Sequence, residues 1–124
     1  MKRRTTARAL LLAASLINAA PALAAFDTGR IEALYGIAVP DANHALLLRH
    51  RAVLLGIVGG AMIAGAFVPR IRDWSAGAGA ISMASYIALA RLAGEPNANL
   101  TRVERVDYAA IALLLGAVVL DQPA

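Results

Sequence analysis

Three consecutive basic residues stand inside an otherwise apolar part of the chain. Arg49-His50-Arg51 follows three leucines and precedes a long uncharged run, and Asp107 directly precedes another such run. Charged side chains drawn into a membrane are costly and usually pair with an opposite charge. We therefore predict an ion pair between Asp107 and this basic segment, with Glu104 as a substitute partner. The alternative is that each charged side chain extends separately to the lipid headgroups.

Helical phase does not decide which arginine Asp107 meets. Arg49 lies seven residues before Gly56 and shares its face, whereas Arg51 points to nearly the opposite side. Phase alone favours Arg49 as the buried partner, but each helix of a bundle has two neighbours, so both pairings stay open. His50 lies between the two arginines and has two interpretations, a proton carrier near neutral pH or a structural residue at the membrane interface.

A second pattern is a stripe of small or polar residues at positions spaced by four, three and four. Ser75, Gly79, Ser82 and Tyr86 share one narrow helix face, while the other faces carry Ala, Ile, Leu and Met. Hydroxyl groups in a membrane seek partners within the protein, because lipid offers none. The stripe therefore indicates either interhelical hydrogen bonds or the wall of a crevice for a quinone, a lipid or a small polar solute.

The composition excludes several kinds of chemistry. The chain has no cysteine, which excludes disulfides, Cys metal sites and thiol catalysis. Its two histidines, His44 and His50, lack the Glu-x-x-His pattern of di-iron bundles, so we expect no metal and no cofactor. The net charge is +4, but the basic residues lie at the ends of apolar runs, so we expect no nucleic-acid partner. We identify no catalytic residue.

Four uncharged apolar runs position these side chains: residues 9–26, 52–69, 74–90 and 108–120. Crossing the hydrocarbon core takes about 20 helical residues. Only 16% of the residues are charged, against about 25% in soluble domains. We predict an all-α fold with a single membrane domain over residues 1–124. It is a four-helix transmembrane bundle, up-down-up-down, with the lipid bilayer as a partner and helices at about 8–26, 42–68, 74–93 and 101–120.

The loop between the first two predicted helices contains a short amphipathic segment over residues 28–36. Asp27 or Thr28 can cap it, and Ile31, Leu34 and Tyr35 lie on one side of it. We expect this segment to lie in the membrane interface. Further along the loop, Asp41 is placed to cap the second helix.

The first 24 residues have two interpretations. A basic leader, an apolar run, Pro21 and the small residues Ala22-Leu23-Ala24 match a cleavable signal peptide. The same residues also match an uncleaved first helix that is kinked at Pro21. We favour the uncleaved helix, because its removal leaves a three-helix remnant with less surface to pack.

Glycines on the second and fourth helices predict close helix packing. Gly56 and Gly60 form a small-x-x-x-small pair, Ala61 and Gly65 form the next, and Gly116 marks the fourth helix. Small residues four positions apart let two helix backbones approach closely in lipid. We expect these glycines to pack within the bundle, with contact to a second copy of the chain as the alternative.

The distribution of basic residues predicts an orientation. Two basic clusters fall on one side of an up-down-up-down bundle: Lys2, Arg3, Arg4 and Arg8 before the first helix, and Arg70 and Arg72 between the second and third. Because basic loops stay on the cytoplasmic side, both termini are expected there, in a multi-pass protein of the inner (plasma) membrane. Five arginines on the opposite side weaken this signal: Arg49, Arg51, Arg91, Arg102 and Arg105.

Several stretches resemble a known group of membrane proteins. They are Leu34-Tyr35-Gly36, the run from Arg49 to Gly60, Ala66-Phe67 and the run from Ile81 to Tyr86. Together they resemble small uncharacterised bacterial four-helix membrane proteins, loosely similar to the DoxX-like group. The resemblance implies an uncleaved four-helix inner-membrane protein, and some members of that group are associated with membrane redox complexes. It supplies no catalytic residue.

Three functions follow as hypotheses. The first is a non-enzymatic subunit or accessory factor of a membrane complex, in contact with another membrane protein or with itself. The second is a small-solute or proton-coupled transporter, which is weakened because three helices contain no acidic residue within their apolar runs. The third is a membrane redox or lipid-modifying protein of DoxX-like type. We favour the first.

Overall fold

The structure, a computed structural model, describes residues 2–121, which form helices joined by short connections and contain no strand. Five α-helices follow in order: α1 (Lys2–Ala19), α2 (Thr28–Tyr35), α3 (Ala42–Phe67), α4 (Pro69–Leu92) and α5 (Ala98–Asp121). A 3-10 helix, Ala20–Phe26, joins α1 to α2. The all-α prediction is confirmed. Met1 and residues 122–124, which the predicted domain also includes, lie outside the described residues.

The four long helices form a ring in which each contacts the next along the chain. α1 packs on α3 and α5, α4 also packs on α3 and α5, and α3 and α5 do not touch. Arg8, near the start of α1, donates to the carbonyl of Ala66 near the end of α3. Arg72, near the start of α4, likewise bonds Asp121 at the end of α5. Neighbouring helices therefore run antiparallel, in up-down-up-down order.

Two helical segments are long and apolar enough to cross a membrane by length and composition, Lys2–Phe26 and Ala42–Phe67. Core helices of soluble proteins and N-terminal signal sequences have the same length and composition. α4 and α5 do not reach this standard within the described residues. The apolar part of α4 is interrupted by glycines and serines, and charged residues occupy the first half of α5.

Small side chains and methionines fill the centre of the ring. The buried core cluster comprises Leu11, Ala14, Met62, Ala66, Ala76, Met83, Ala110, Leu114 and Ala117. Alanines let the helices approach closely, and the unbranched, flexible methionines fill the irregular gaps between them. This cluster closes the half of the bundle that holds the start of α1 and the end of α5, called here the terminal end.

The chain turns back on itself at the opposite, distal end. Pro21 lies at the start of the 3-10 helix, where its missing N–H and fixed φ end the α-helical hydrogen bonding of α1. The 3-10 helix continues the course of α1 along α3, α2 then turns back, and the two together are called the return segment, residues 20–35. Ile31 and Tyr35, on the buried face of α2, pack with Leu48 of α3 and Leu100 of α5.

Capping residues set the limits of α2 and α3. Asp27 accepts a hydrogen bond from the N–H of Gly29, and Gly36, with a φ of 63°, ends α2 in the left-handed region that glycine adopts without strain. Asp41 accepts a hydrogen bond from the N–H of His44 at 2.9 Å, which confirms its predicted role as a cap. The bonds from the backbone and the ring of His44 hold the pKa of Asp41 below its ordinary value.

The predicted helix limits differ from the observed ones mainly at the amino ends. The third predicted helix began at 74, but α4 begins at Pro69, which suits a first helical position because its N–H would be unsatisfied there anyway. The first predicted helix covered 8–26, whereas the α-helix covers Lys2–Ala19 and the remainder is 3-10. The amphipathic segment 28–36 is α2, on which Ile31 and Tyr35 are buried but Leu34 is 40% exposed.

Five glycines mark close approaches between helices, Gly56, Gly59, Gly65, Gly79 and Gly116, and they differ from the predicted set. A Cβ built on Gly56 would meet Ala22, and one on Gly116 would meet Leu10 at 3.2 Å. A Cβ on Gly65 would meet Ser75, so these three predicted glycines do pack within the bundle. Gly60 does not, because no atom lies within 4 Å of a Cβ at that position.

The contact expected of Gly60 is made by its neighbour. A Cβ on Gly59 would lie 2.6 Å from the Cβ of Ala19 and 2.7 Å from its Cα. Successive residues differ by about 100° around a helix, so a one-residue error in phase moves the packing contact to another glycine. The small-residue spacing indicated close packing but not which glycine makes it.

We predict opposite effects for alanine at these two neighbouring positions. Gly60→Ala should raise the free energy of unfolding by up to about 1 kcal/mol, because alanine is the better helix former and has open space there. Gly59→Ala should lower it by about 1–3 kcal/mol through overpacking against the backbone of Ala19. Reversible unfolding of the purified protein in detergent measures both, and equal effects would contradict the assigned phase of α3.

Arg72 ties together three helix ends at the terminal end. Its Nε and one terminal nitrogen donate to the carbonyls of Gly65 and Ala66 at 3.0 and 3.2 Å, the last turn of α3. Its other terminal nitrogen donates to Asp121 at 3.0 Å, and the two side chains are only 21% and 30% exposed. Carbonyls at a helix end have no partner within the helix, and Arg72 supplies one.

Removal of this side chain should cost more than removal of its exposed neighbour. We expect Arg72→Met to lower the free energy of unfolding by at least about 2 kcal/mol, because hydrogen bonds to charged groups contribute about 1.5–3 kcal/mol each. Arg70→Met is the matched control, since Arg70 is exposed, and it should change stability by under about 0.5 kcal/mol. Unfolding curves for the two variants under identical conditions decide the comparison.

Candidate functional site: the distal cavity

A cavity of about 910 Å³ occupies the distal half of the bundle. It lies where the chain, continuing beyond Ala19 as the 3-10 helix, packs on α3 but no longer on α5. The return segment borders this space without filling it. Ligand sites in proteins span about 300–1,000 Å³, so this space has the size of a binding site.

The wall of the cavity is mostly apolar, and its polar groups converge from different elements. Leu55 and Val58 of α3 and Ile17 of α1 line the inner part. The polar side chains on the wall include Asn18, Arg51, Ser82, Tyr86, Asn99 and Asp107. An apolar space with a few placed polar groups is typical of a site for a small molecule or a lipid.

Arg51 is held between two tyrosine rings on the cavity wall. Its guanidinium carbon lies 5.0 Å from the centre of the Tyr35 ring and 5.6 Å from that of Tyr86. A terminal nitrogen of Arg51 also donates to the hydroxyl of Tyr35. The hydroxyl of Tyr86 donates to the carbonyl of Leu100 at 3.0 Å, which fixes the second ring. Two cation–π contacts and one hydrogen bond thus orient the guanidinium.

Most of the hydrogen-bonding capacity of Arg51 is unused. A guanidinium has five N–H groups, and within residues 2–121 the one donated to Tyr35 is the only one with an acceptor. The side chain is half-buried, so water reaches it only partly. The remaining N–H groups can donate to an acceptor that enters the cavity.

Asp107 lies on the wall of the same cavity, half-buried, with no hydrogen bond or ion pair to another described residue. The predicted contact ion pair with Arg49 or Arg51 is therefore not formed: no nitrogen of either arginine lies within 4.0 Å of its carboxylate oxygens. Arg51 and Asp107 both line the cavity, and Arg51 is bonded to Tyr35 of the return segment instead.

The other members of the predicted polar cluster lie elsewhere. Arg49 donates from Nε to the carbonyl of Ala25 at 2.5 Å, at the end of the 3-10 helix. His50 is exposed. Arg51, and not Arg49, therefore lines the cavity. Helical phase favoured Arg49 because it shares a face with Gly56, but the cavity borders a different face of α3 from the one that carries Gly56.

Glu104, the substitute partner in the sequence prediction, has another role. It is buried, and its Oε1 lies 2.7 Å from Nε of Arg91, whose side chain is 70% exposed. This ion pair joins the end of α4 to the start of α5. Nearby, Asn97 and Asn99 donate to the carbonyls of Tyr35 and Ala33, which fixes the end of α2 against α5.

The predicted stripe on α4 divides into two parts. Ser75 is buried and donates to the carbonyl of Arg72 at 3.0 Å, while Gly79 makes room for the sulfur of Met62. Ser82 and Tyr86 line the cavity. The terminal half of the stripe therefore serves helix packing, without an interhelical hydrogen bond among the described residues, since Ser75 and Arg72 belong to the same helix. Its distal half forms part of the cavity wall, and there Tyr86 makes the hydrogen bond between α4 and α5.

The residue that sequence reasoning missed is Tyr35, which was assigned only to an interfacial amphipathic segment. It is 6% exposed, and it receives the hydrogen bond and one cation–π contact of Arg51. A buried tyrosine hydroxyl usually has a hydrogen-bond partner, and this rule was a usable signal. It did not reveal the partner, which lies 16 residues away along the chain.

Within residues 2–121, no group of three His, Asp or Glu side chains is arranged to hold a metal ion. Comparisons with protein families, with curated proteins and with solved structures found no match to this chain. The DoxX-like resemblance stays a prediction, and no residue role is transferred from another protein. What the cavity can do follows from its own groups, which can bind and orient a molecule bearing an acceptor.

Arg51 and Tyr35 should behave as an energetically coupled pair. We expect Tyr35→Phe to lower the free energy of unfolding by about 1 kcal/mol, the usual contribution of one hydrogen bond. In an Arg51→Met background the same change should cost close to zero, because the donor to that hydroxyl is gone. Denaturation of the four proteins in detergent gives the coupling energy.

Tyr86→Phe is the matched control for this cycle. Its hydroxyl bonds the carbonyl of Leu100 and not Arg51, so its cost should be the same in both backgrounds. A coupling energy near zero for Tyr35 would show that the bond to Arg51 contributes nothing to stability.

Proposed function

We propose that this chain is a small multi-pass protein of the inner membrane, a four-helix transmembrane bundle that acts without catalysis as a subunit or accessory factor of a membrane complex. The fold supplies the antiparallel ring of long helices, and the distal cavity supplies a place for a bound molecule. The bilayer, and another membrane protein or a second copy of this chain, are the proposed partners.

One observation carries the membrane assignment: the surface of α3 is apolar where it faces away from the bundle. Val53, Ile57 and Phe67 are 43%, 61% and 58% exposed, on the same face as Gly60 and the exposed Ala64. The buried positions of α3 are Ala52, Gly59, Met62, Gly65 and Ala66, which are smaller on average. A soluble amphipathic helix has the reverse arrangement, with its large apolar residues inside.

The apolar surface continues onto the other long helices. Leu16 of α1, Ile81 of α4 and Leu115 of α5 are 60%, 73% and 60% exposed. Surfaces of this kind on all four sides of a ring favour contact with lipid over contact with water. The charged first half of α5 is compatible with a span because Glu104 is paired with Arg91 and because Asp107 faces the cavity.

The distribution of charge supports the proposed orientation. Arg8 and Arg72 lie at the terminal end, together with the starts of α1 and α4 that carry the other clustered basic residues. Basic residues next to spans favour the cytoplasmic side, so the terminal end is proposed to face the cytoplasm. An uncleaved α1 is part of this proposal, because α1 contributes Leu11 and Ala14 to the core.

The alternatives from the sequence have less support. A transporter exposes its site to each side in turn, and the core cluster around Met62 and Met83 closes the terminal half of this bundle. A redox or lipid-modifying enzyme needs reactive groups in the cavity, whose wall offers a guanidinium, a carboxylate, amides and hydroxyls. These groups suit binding.

Extraction and labelling test the proposal. We expect the full-length protein to stay in the membrane pellet after alkaline carbonate washing, since its exposed apolar surface needs lipid. The chain has no cysteine, so Glu95→Cys and Asp73→Cys place single thiols at the distal and terminal ends. A membrane-impermeant maleimide added to intact cells should label Glu95→Cys and spare Asp73→Cys, and lysis should make both reactive.

Release of the intact protein by carbonate would overturn the membrane assignment. Labelling of Asp73→Cys but not Glu95→Cys in intact cells would reverse the orientation while leaving the membrane assignment in place.

A further inference from the structure

Of the four charged side chains on the cavity wall, Arg30 and Arg102 are exposed, whereas Arg51 and Asp107 are half-buried and have no partner of opposite charge in contact within residues 2–121. Arg51 and Asp107 both line the distal cavity, and their nitrogen and oxygen atoms are more than 4.0 Å apart. Half-buried charges are costly unless paired and hydrogen-bonded. We infer that the cavity holds the headgroup of a zwitterionic phospholipid with a primary ammonium, its phosphate on Arg51 and its ammonium on Asp107. This inference rests on the proposed membrane function.

The phosphate end of the site is already organised. Arg51 is fixed by Tyr35 and Tyr86, and its unused N–H groups can donate to two oxygens of one phosphate in the bidentate manner that guanidinium groups favour. Tyr35 accepts from Arg51, which leaves its own hydroxyl proton to donate as well. Arg102 of α5 also lines the cavity, is exposed, and adds positive potential to it.

The carboxylate of Asp107 forms the end of the site that binds the ammonium. A purely anionic ligand would leave this carboxylate unpaired and repelled, and a purely cationic ligand would do the same to Arg51. A primary ammonium donates hydrogen bonds to a carboxylate, which a quaternary ammonium cannot do. Asn18 and Ser82 on the same wall provide further acceptors for an ammonium. The pair of charges therefore selects an ethanolamine type of headgroup over glycerol or choline types.

The apolar remainder of the cavity fits the chains of such a lipid. Leu55 and Val58 line the inner wall, while Leu23, Leu54 and Leu89 on its edge are 70%, 48% and 65% exposed. In a bilayer these exposed leucines contact acyl chains, so chains can pass from the cavity into the surrounding lipid. A water-soluble ligand would gain nothing from this apolar edge.

Lipid binding to the purified, delipidated full-length protein in detergent tests the inference by native mass spectrometry. The probes are phosphatidylethanolamine, phosphatidylglycerol and phosphatidylcholine with identical acyl chains. We expect phosphatidylethanolamine to bind at least about tenfold more tightly than the other two, the size expected for one charge-assisted hydrogen bond. Equal binding of all three, or tighter binding of phosphatidylglycerol, overturns the inference.

Two variants separate the two ends of the site. Asp107→Asn should reduce the affinity for phosphatidylethanolamine at least about tenfold and leave phosphatidylglycerol unchanged or tighter, whereas Arg51→Gln should weaken both. Asp73→Asn is the matched control, because Asp73 is an exposed carboxylate at the terminal end, and it should bind like the parent protein. A headgroup preference that survives in Asp107→Asn overturns the assignment of the ammonium.

Free phosphoethanolamine distinguishes the lipid from its soluble headgroup. It should compete at least about a hundredfold more weakly than the intact lipid, since it lacks the apolar contacts. Competition at equal concentration would overturn the lipid as the occupant. The carbonate result is independent of all these measurements, so a protein that stays in the membrane but shows no headgroup preference disproves only the inference.

Discussion

The change of helix type at Pro21 is the constraint on which the distal half of the molecule depends. Pro21 stops α-helical bonding, and the chain continues along α3 as a 3-10 helix before α2 turns back. Ala22 of the 3-10 helix lies against Gly56, and the carbonyl of Ala25 accepts from Arg49, so this segment stays beside α3. It packs on α3 but no longer on α5, and the distal cavity occupies the space left between them.

Arginine side chains supply hydrogen-bond donors to helix ends at both ends of the bundle. Arg8 and Arg72 donate to carbonyls in the last turn of α3, and Arg49 donates to Ala25 at the end of the 3-10 helix. Free carbonyls at helix ends are costly away from water, and a guanidinium with several N–H groups can satisfy two or three at once. Arg51 differs from these three because it donates to a side chain, the hydroxyl of Tyr35, and most of its donors are unused.

Much of the helical layout could be predicted, because hydropathy and capping signals are local. The apolar run and Asp41 located α3 to within one residue at each end. The predicted start of α4 was wrong because two local signals conflicted. The charges after Pro69 indicated a loop, whereas proline is favourable at a helix start. The cavity was foreseen only as a crevice beside Ser82 and Tyr86, since its volume depends on how α1 ends relative to three other helices.

By itself, the sequence determined that the chain is helical, where the long helices lie, and that apolar residues exceed what a small core can bury. Each of these properties depends on residues close together along the chain. Only the tertiary structure decided that Gly59 rather than Gly60 contacts Ala19, and that Arg51 and Asp107 line the same cavity without forming an ion pair. The rotation of a helix about its axis is set by the shapes of all its neighbours at once, and Tyr35, from a segment with no strong signal of its own, directs the guanidinium of Arg51.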